Sequence, residues 1–481
     1  MLLRFLAAVL LFAALPAWAQ TAAPDCTVDV GVTAGPVLDV TYRCRSTAAV
    51  TFSADDKVVA SHVQDLRDGA GNKPAASGDG WTVQPVNGLA EVRYRYDLAA
   101  YATEANSTST ALRRGESVVS GLSGWLLETS GLGREPVIDI RAHTAEGLAF
   151  ATGMPKVGDA YRLANTSVGF AGYTAIGKIS LQEIAVPAPG SLRPGEPKKE
   201  GVLRLAILDG VSDSGRADLA DWVKRTAEAE SNYWQGFTAP TLLLTLIPTA
   251  GERTVGFGRT VSGGGATVAI AVGTPVDKRR LFNEWVLVHE LIHTGMPYVM
   301  GRGTWLMEGA ATYVEPIIRA RAGWKTEDEV WHEWVMNMPR GAAVFGEGLA
   351  SGREPYWAGA IFMLLADVGI RRATDGAKGL EDCLGGVLWS GMDARGRLSV
   401  PDFARVCDRA VGTNVFSTLV DQHFRKQNPI DLGALWKDLG VGMVNGQITL
   451  DDSAPEAKWR KMIVMGPPGR PPRPVKLPWQ S

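Results

Sequence analysis

The hydrophobic period changes part-way along this chain, and that change constrains its fold more tightly than any composition figure. Between about Cys26 and Ile184, short runs such as VLDVTYRCR, AEVRYRYDL, PVIDIRAH and GKISLQEIAV alternate apolar and polar residues, separated by Gly, Asp, Asn and Ser clusters. Alternation with a period of two, broken by turn residues, predicts antiparallel strands. From Thr274 onward the spacing becomes helical, in TPVDKRRLFNEWVLVHELIHTG, TWLMEGAATYVEPIIRARAG, EPYWAGAIFMLLADVGIRRATDG and SVPDFARVCDRAVG. Between these regions VLRLAILDG, TLLLTLIP and ATVAIAVG read as strands, and RADLADWVKRTAEAESNYW reads as an amphipathic helix. The expected class is α+β: a β-rich N-terminal domain, then a domain that begins α/β and ends helical.

A chain of 481 residues exceeds one compact core and suits two or three domains. The stretch VPAPGSLRPGEPKKEG, Val186 to Gly201, is too rich in proline and glycine for a helix or central strand and reads as a linker. It divides a first domain at 20–185 from a second at 202–464, and the proline-rich 465–481 is expected to be an extended or disordered tail. The first 19 residues read as a secretory signal peptide, with Arg4, an apolar run from Phe5 to Leu15 and a small-x-small site at Ala17-Trp18-Ala19. An uncleaved anchor is the competing reading, but the run is shorter than the roughly 20 residues of a membrane span. No later segment of spanning length is free of charge, so a periplasmic or secreted protein without a stable membrane span is expected.

Four cysteines suit that oxidising compartment. Local pairing, Cys26 with Cys44 and Cys383 with Cys407, is the simplest of three connectivities. With 49 basic against 51 acidic residues, nothing points to nucleic acid or an anionic membrane as partner.

WVLVHELIHTGMP, Trp285 to Pro297, carries the chemistry. On a helix His289 and His293 share one face a turn apart and can bind one ion, while Glu290 points beside it and can take a proton from bound water. An HExxH in a chain with six histidines arises by accident at roughly half a per cent. Core histidines on an apolar helix are the bland alternative. Thr274 is the expected cap of this helix, with Pro275 at its first position, Asp277 completing a capping box, and Gly295 and Pro297 ending it. Such a site needs a third ligand and an open position; TWLMEGAATYVE offers Glu308 from the next helix. Glu315, two turns further along, is a candidate to orient a ligand histidine, or else a surface glutamate before Pro316.

HELIH followed by WLMEGAATYVE resembles the gluzincin zinc peptidases, specifically the aminopeptidase N and glycyl aminopeptidase families. PYWAGAIFMLLADVGIRRATDGAKGLEDCL is similar to their tyrosine motif, and Arg371, Thr374, Gly376, Leu380 and Asp382 echo a further segment of the glycyl aminopeptidases. The resemblance spans roughly Thr274 to Leu384 and implies a thermolysin-like catalytic domain. It implies one zinc ion per chain held by His289, His293 and Glu308, with Glu290 as general base and Tyr356 as hydrogen-bond donor to the oxyanion. It also implies a peptide or protein substrate laid along an edge strand, expected here at Ala266, Thr267, Val268 and Ala269. Those families carry a G-x-M-E-N-like acid on that strand to bind a free amine, whereas Thr254 through Gly273 contain no acid. Strict aminopeptidase action is therefore doubtful, and a second reading keeps the fold for peptide binding without turnover. The interval from His293 to Glu308 is shorter than in those relatives, so a tight connection is expected.

Overall fold

The computed structural model describes residues 23–132, 136–163, 168–251, 254–345, 349–467 and 469–480. The expected signal peptide, 1–19, lies outside the described residues. The alternating runs of the first half form strands, and the first two, Cys26–Thr33 and Val37–Arg45, bury every second residue. Cys26–Thr33 pairs antiparallel with Val37–Arg45, placing Cys26 opposite Cys44, and a disulfide joins the two. Both lie inside a seven-stranded sheet, whose inward residues Val28, Val30, Leu38, Val40 and Tyr42 are buried. Two four-stranded sheets complete this β-rich part.

A five-stranded sheet follows. Its strands are β1 (Ser180–Pro187), β2 (Glu200–Ile207), β3 (Thr241–Ala250), β4 (Val255–Val261) and β5 (Ala266–Thr274), in the order β1-β2-β3-β5-β4. β1 and β2 are antiparallel neighbours, from Ser180 opposite Ile207 to Pro187 opposite Glu200. Val186 to Gly201 is therefore not a linker between domains but the connection between adjacent strands of one sheet. Its proline and glycine mark a chain reversal, and composition alone does not say whether the flanking strands pair. α1 (Asp213–Trp234) crosses from β2 to its parallel neighbour β3, and Ser212 caps it by accepting from the Gly215 N–H.

The run TLLLTLIP is apolar at nearly every position because both faces of β3 are covered, as expected of a doubly buried parallel strand. Leu242, Leu244 and Leu246 pack with α1 residues such as Trp222, whereas Leu243 and Ile247 pack with Leu112, Val119 and Tyr173 of the β-rich part. Each such side chain contributes about 1.5–3 kcal/mol of burial, so the first half is one cladding layer of the second half's sheet. The expected edge strand is corrected here: β5 is interior, with β3 on one side and β4 on the other, and Ala266, Thr267, Val268 and Ala269 are buried. The edge belongs to β4, VGFGRTV, whose Gly256 and Gly258 weaken its strand pattern.

The helices that carry the chain onward include α2 (Lys278–Leu281), α3 (Val286–Thr294), α4 (Thr304–Arg321), α5 (Glu327–Phe345), α6 (Pro355–Ala373), α7 (Leu380–Trp389) and α8 (Val400–Val411). The expected cap at Thr274 is also corrected. Thr274 ends β5, and Asp277 caps the short α2 by accepting from the N–H groups of Arg279 and Arg280 at 3.0 and 3.2 Å. A carboxylate that satisfies two orphan donors wins over a threonine upstream of a proline. The HELIH helix, α3, starts separately at Val286. A second disulfide, Cys383–Cys407, ties α7 to α8. The proline-rich tail is extended and anchored: the Val475 N–H donates to the Ala322 carbonyl, Trp324 Nε1 donates to the Val475 carbonyl, and Trp479 packs edge-on to Phe282. No helix among the described residues is long and apolar enough to cross a membrane.

α4 and α6 touch backbone to backbone at Gly309 and Gly359, where a Cβ on either residue would overlap the other helix. This contact sets the distance between the helix that bears Glu308 and the helix that bears Tyr356. Gly359→Val should separate them, lowering stability by about 3 kcal/mol or more, which thermal unfolding followed by circular dichroism will register as a lower Tm.

Candidate metal centre

The site is built from three helices, α3, α4 and α6, and the strand β4. α3 presents His289 and His293 one turn apart, and α4, packed against it, presents Glu308 from its first turns. The expected tight connection is made by a short strand, Tyr298–Met300, and by Gly301 and Arg302, which both take positive φ (68° and 65°) to turn the chain into α4.

His289 Nε2 lies 3.2 Å from Glu308 Oε2 and 3.2 Å from His293 Nε2, and His293 Nε2 lies 3.4 Å from Glu308 Oε2. A tetrahedral ion with bonds of about 2.0–2.1 Å separates its ligand atoms by about 3.3–3.4 Å. The three donors thus already stand at the edge lengths of one face of a zinc tetrahedron, and two imidazoles with a carboxylate are a zinc donor set.

The electrostatics agree. Burial alone would raise the Glu308 carboxyl, but hydrogen bonds to His289 and His293 outweigh it and pull its pKa to about 2. Burial presses both imidazoles down; it prevails at His289, whereas at His293 the Glu308 carboxylate wins and the net shift is upward. A carboxylate held ionised between two imidazoles is a ready cation site, and a metal there competes with the protons those groups would share.

Glu290, on the neighbouring face of α3, is held by the edge strand. Thr260 Oγ1 of β4 lies 2.7 Å from Glu290 Oε2 and 2.9 Å from the Glu290 carbonyl, and donates to them. Gly258 makes this approach possible: a Cβ there would stand 2.5 Å from Val286 Cγ1 and 2.8 Å from Glu290 Cγ. Tyr356, second residue of α6, follows Pro355 and a left-handed Glu354 (φ 46°), and its ring stacks 6.1 Å from that of His289. Partial burial and the charges of Glu308 and Glu290 raise its pKa, so at neutral pH it is a phenol with a proton to donate. These residues line a cleft of about 650 Å³ between β4 and the helices. Trp285, edge-on to His289 at 5.1 Å, forms part of its rim.

Of the sequence candidates, the structure brings His289, His293, Glu308, Glu290 and Tyr356 to one cleft. It does not bring Glu315 to a ligand histidine. Seven residues on from Glu308, Glu315 is buried against Arg319, whose Nη1 donates to it at 3.0 Å, while His289 Nδ1 has no partner among the described residues. The motif echoed at Arg371 and Asp382 also lies elsewhere: Arg371 is buried between Asp367 (2.9 Å) and Glu381 (2.7 Å), a brace between α6 and α7. Ala266 to Ala269 stay one strand behind the cleft wall. Sequence reasoning missed Thr260 and the rest of β4; the glycine pair before it was the available signal.

No protein-family model matches the chain, and no curated protein matches it. Solved structures do. An aminopeptidase N family protein from Idiomarina loihiensis superposes with a TM-score of 0.61 at 14% identity, over 86% of this chain and 78% of that one. The chain has that protein's fold. An M1 zinc metallopeptidase from Deinococcus radiodurans matches with a TM-score of 0.45 at 13% identity, over 82% and 91%. At such identities the likeness is one of fold, and the roles of individual residues rest on the geometry above.

Two outcomes follow from the electrostatics. The purified protein should bind about one zinc per chain, and Glu308→Ala should weaken that affinity at least about a hundredfold, read by elemental analysis after dialysis against graded chelator. Burial raises the Glu315 carboxyl to about 7 despite Arg319. A folded pKa above the unfolded one favours folding below the ordinary glutamate range and loses that contribution as pH climbs through about 7. Tm should therefore fall between pH 5 and 8, and Glu315→Gln should flatten that part of the profile.

Proposed function

We propose that this protein is a zinc-dependent peptidase of an oxidising compartment outside the cytoplasm, hydrolysing peptide or protein substrates with one zinc per chain. The observation that carries the reading is the triad of His289, His293 and Glu308 donor atoms at 3.2–3.4 Å, with a carboxylate and a phenol in the same cleft. The fold neighbour named as an aminopeptidase N family protein supports it. Two disulfides support the compartment.

A zinc ion held by His289, His293 and Glu308 would supply Lewis acidity toward a peptide carbonyl and an attacking water. The chain's own residues do the rest. Glu290 Oε takes the proton of the attacking water and returns it to the leaving amine. Thr260 fixes the Glu290 carboxylate against the strand, so that base and substrate wall move as one body. The Tyr356 hydroxyl donates to the oxygen that gains charge as the carbonyl carbon becomes tetrahedral. The open edge of β4, the strand beside the cleft, offers backbone N–H and C=O groups to which an extended peptide can add as a further strand. β4 carries no acid to hold a free amine, which speaks against strict removal of N-terminal residues.

Glu290→Gln should retain zinc and lose at least about a thousandfold in kcat, and Tyr356→Phe should lose about a hundredfold in kcat with little change in KM. Product masses from a mixed peptide library report both the loss and the direction of cutting. Unchanged cleavage by Glu290→Gln removes that residue from the mechanism. No turnover of any peptide by the zinc-loaded wild type favours peptide binding without catalysis.

A further inference from the structure

We propose that Arg259 is a specificity-determining residue that binds a carboxylate of the substrate beside the scissile bond. The proposal rests on reading the cleft as a peptidase site. Arg259 lies in β4 between Gly258 and Thr260, the two residues that meet α3, so its side chain turns to the opposite face of the strand. There the strand meets the β-rich half. Arg259 Nη1 donates to the Ser109 carbonyl at 3.3 Å, and the Tyr173 hydroxyl donates to the Thr108 carbonyl at 3.3 Å. Arg259 also lines the same cleft as His289, Glu290, His293 and Glu308, which puts it beside the reacting centre.

Its lack of an ionic partner separates Arg259 from the structural arginines of this fold. Arg162 is paired with Asp139, Arg204 with Glu183, and Arg371 with both Asp367 and Glu381. Arg259 is exposed, forms no ion pair among the described residues, and is the one Lys or Arg among the described residues that line the cleft. A guanidinium offers five N–H donors in a planar fork that fits a carboxylate, and only one long bond to a carbonyl is in use. A peptide added to the β4 edge alternates its side chains between the two faces, so a residue beside Arg259 turns toward the guanidinium. Two sources share this chemistry: an Asp or Glu side chain, and a chain-terminal carboxylate.

The test uses zinc-loaded protein and peptide pairs that differ only in Asp against Asn or Glu against Gln at each position, or in a free acid against an amide C-terminus. Wild type should favour the acid twin at least about tenfold in kcat/KM at one fixed place relative to the cut. That place separates the two sources. Arg259→Gln should abolish the ratio, Arg259→Lys should keep part of it, and Arg259→Glu should invert it in favour of Lys over Gln. Equal handling of the twins by wild type, or a ratio that survives Arg259→Gln, overturns the proposal. If wild type cleaves nothing, the peptidase reading fails by itself. Calorimetry of the same pairs on zinc-loaded Glu290→Gln protein then decides: tighter binding of the acid twin that disappears with Arg259→Gln upholds the carboxylate site, and equal binding overturns it.

Discussion

Two imidazole nitrogens and a carboxylate oxygen brought within 3.4 Å of one another are the constraint around which the second half of the chain is arranged. Lone pairs so close repel unless protons or a cation lie between them, and partial burial removes the water that would otherwise screen them. The shift of Glu308 to about 2, against the opposing effect of burial, is the electrostatic trace of that crowding. Holding the donors there requires α3 and α4 to be fixed to a fraction of an ångström. The glycine contact of α4 with α6, the buried Arg371 brace between α6 and α7, and the Cys383–Cys407 tie between α7 and α8 link these helices to one another.

The five-stranded sheet is the other fixed body. It is clad on one face by α1 and α3 and on the other by the β-rich half, so its outer strand β4 reaches the cleft with one edge free while β5 and β3 behind it are buried on both faces. This explains why a small residue and a hydroxyl alternate along β4. Gly258 admits the HELIH helix, and Thr260 takes hold of its glutamate. Arg259, between them, is left to face the first half of the chain. The β-rich half therefore supports the sheet and also meets the arginine, at the Ser109 carbonyl.

The chemistry was legible in the sequence because it is local. A four-residue spacing on a helix places two histidines on one face whatever the surroundings, and the apolar frame around Glu308 marked the helix that would pack beside it. Alternation in the first half announced strands for the same reason: the period belongs to the backbone. Strand neighbours were not legible. β5 has the stronger strand pattern because it is buried on both sides, and that strength disguised an interior strand as the edge, whereas β4 is weakened by the glycines its position demands. The proline-rich loop before β2 carried the same ambiguity, since turn residues mark a reversal and not the identity of what they join.

The sequence by itself determined that His289 and His293 share a helix face with Glu290 beside them, the order of β-rich and helical halves, and the local pairing of cysteines as the simplest of three choices. Each depends on residues a few positions apart, whose relative placement is set by backbone geometry. Only the tertiary structure decided that β4 is the wall of the cleft, that Glu315 serves Arg319 and not a histidine, that Thr260 bonds Glu290, and that Arg259, without an ion pair among the described residues, stands where the two halves meet. Those facts depend on which distant segments come to lie side by side, and that is settled by packing both faces of one sheet at once, a condition that no single stretch of sequence contains.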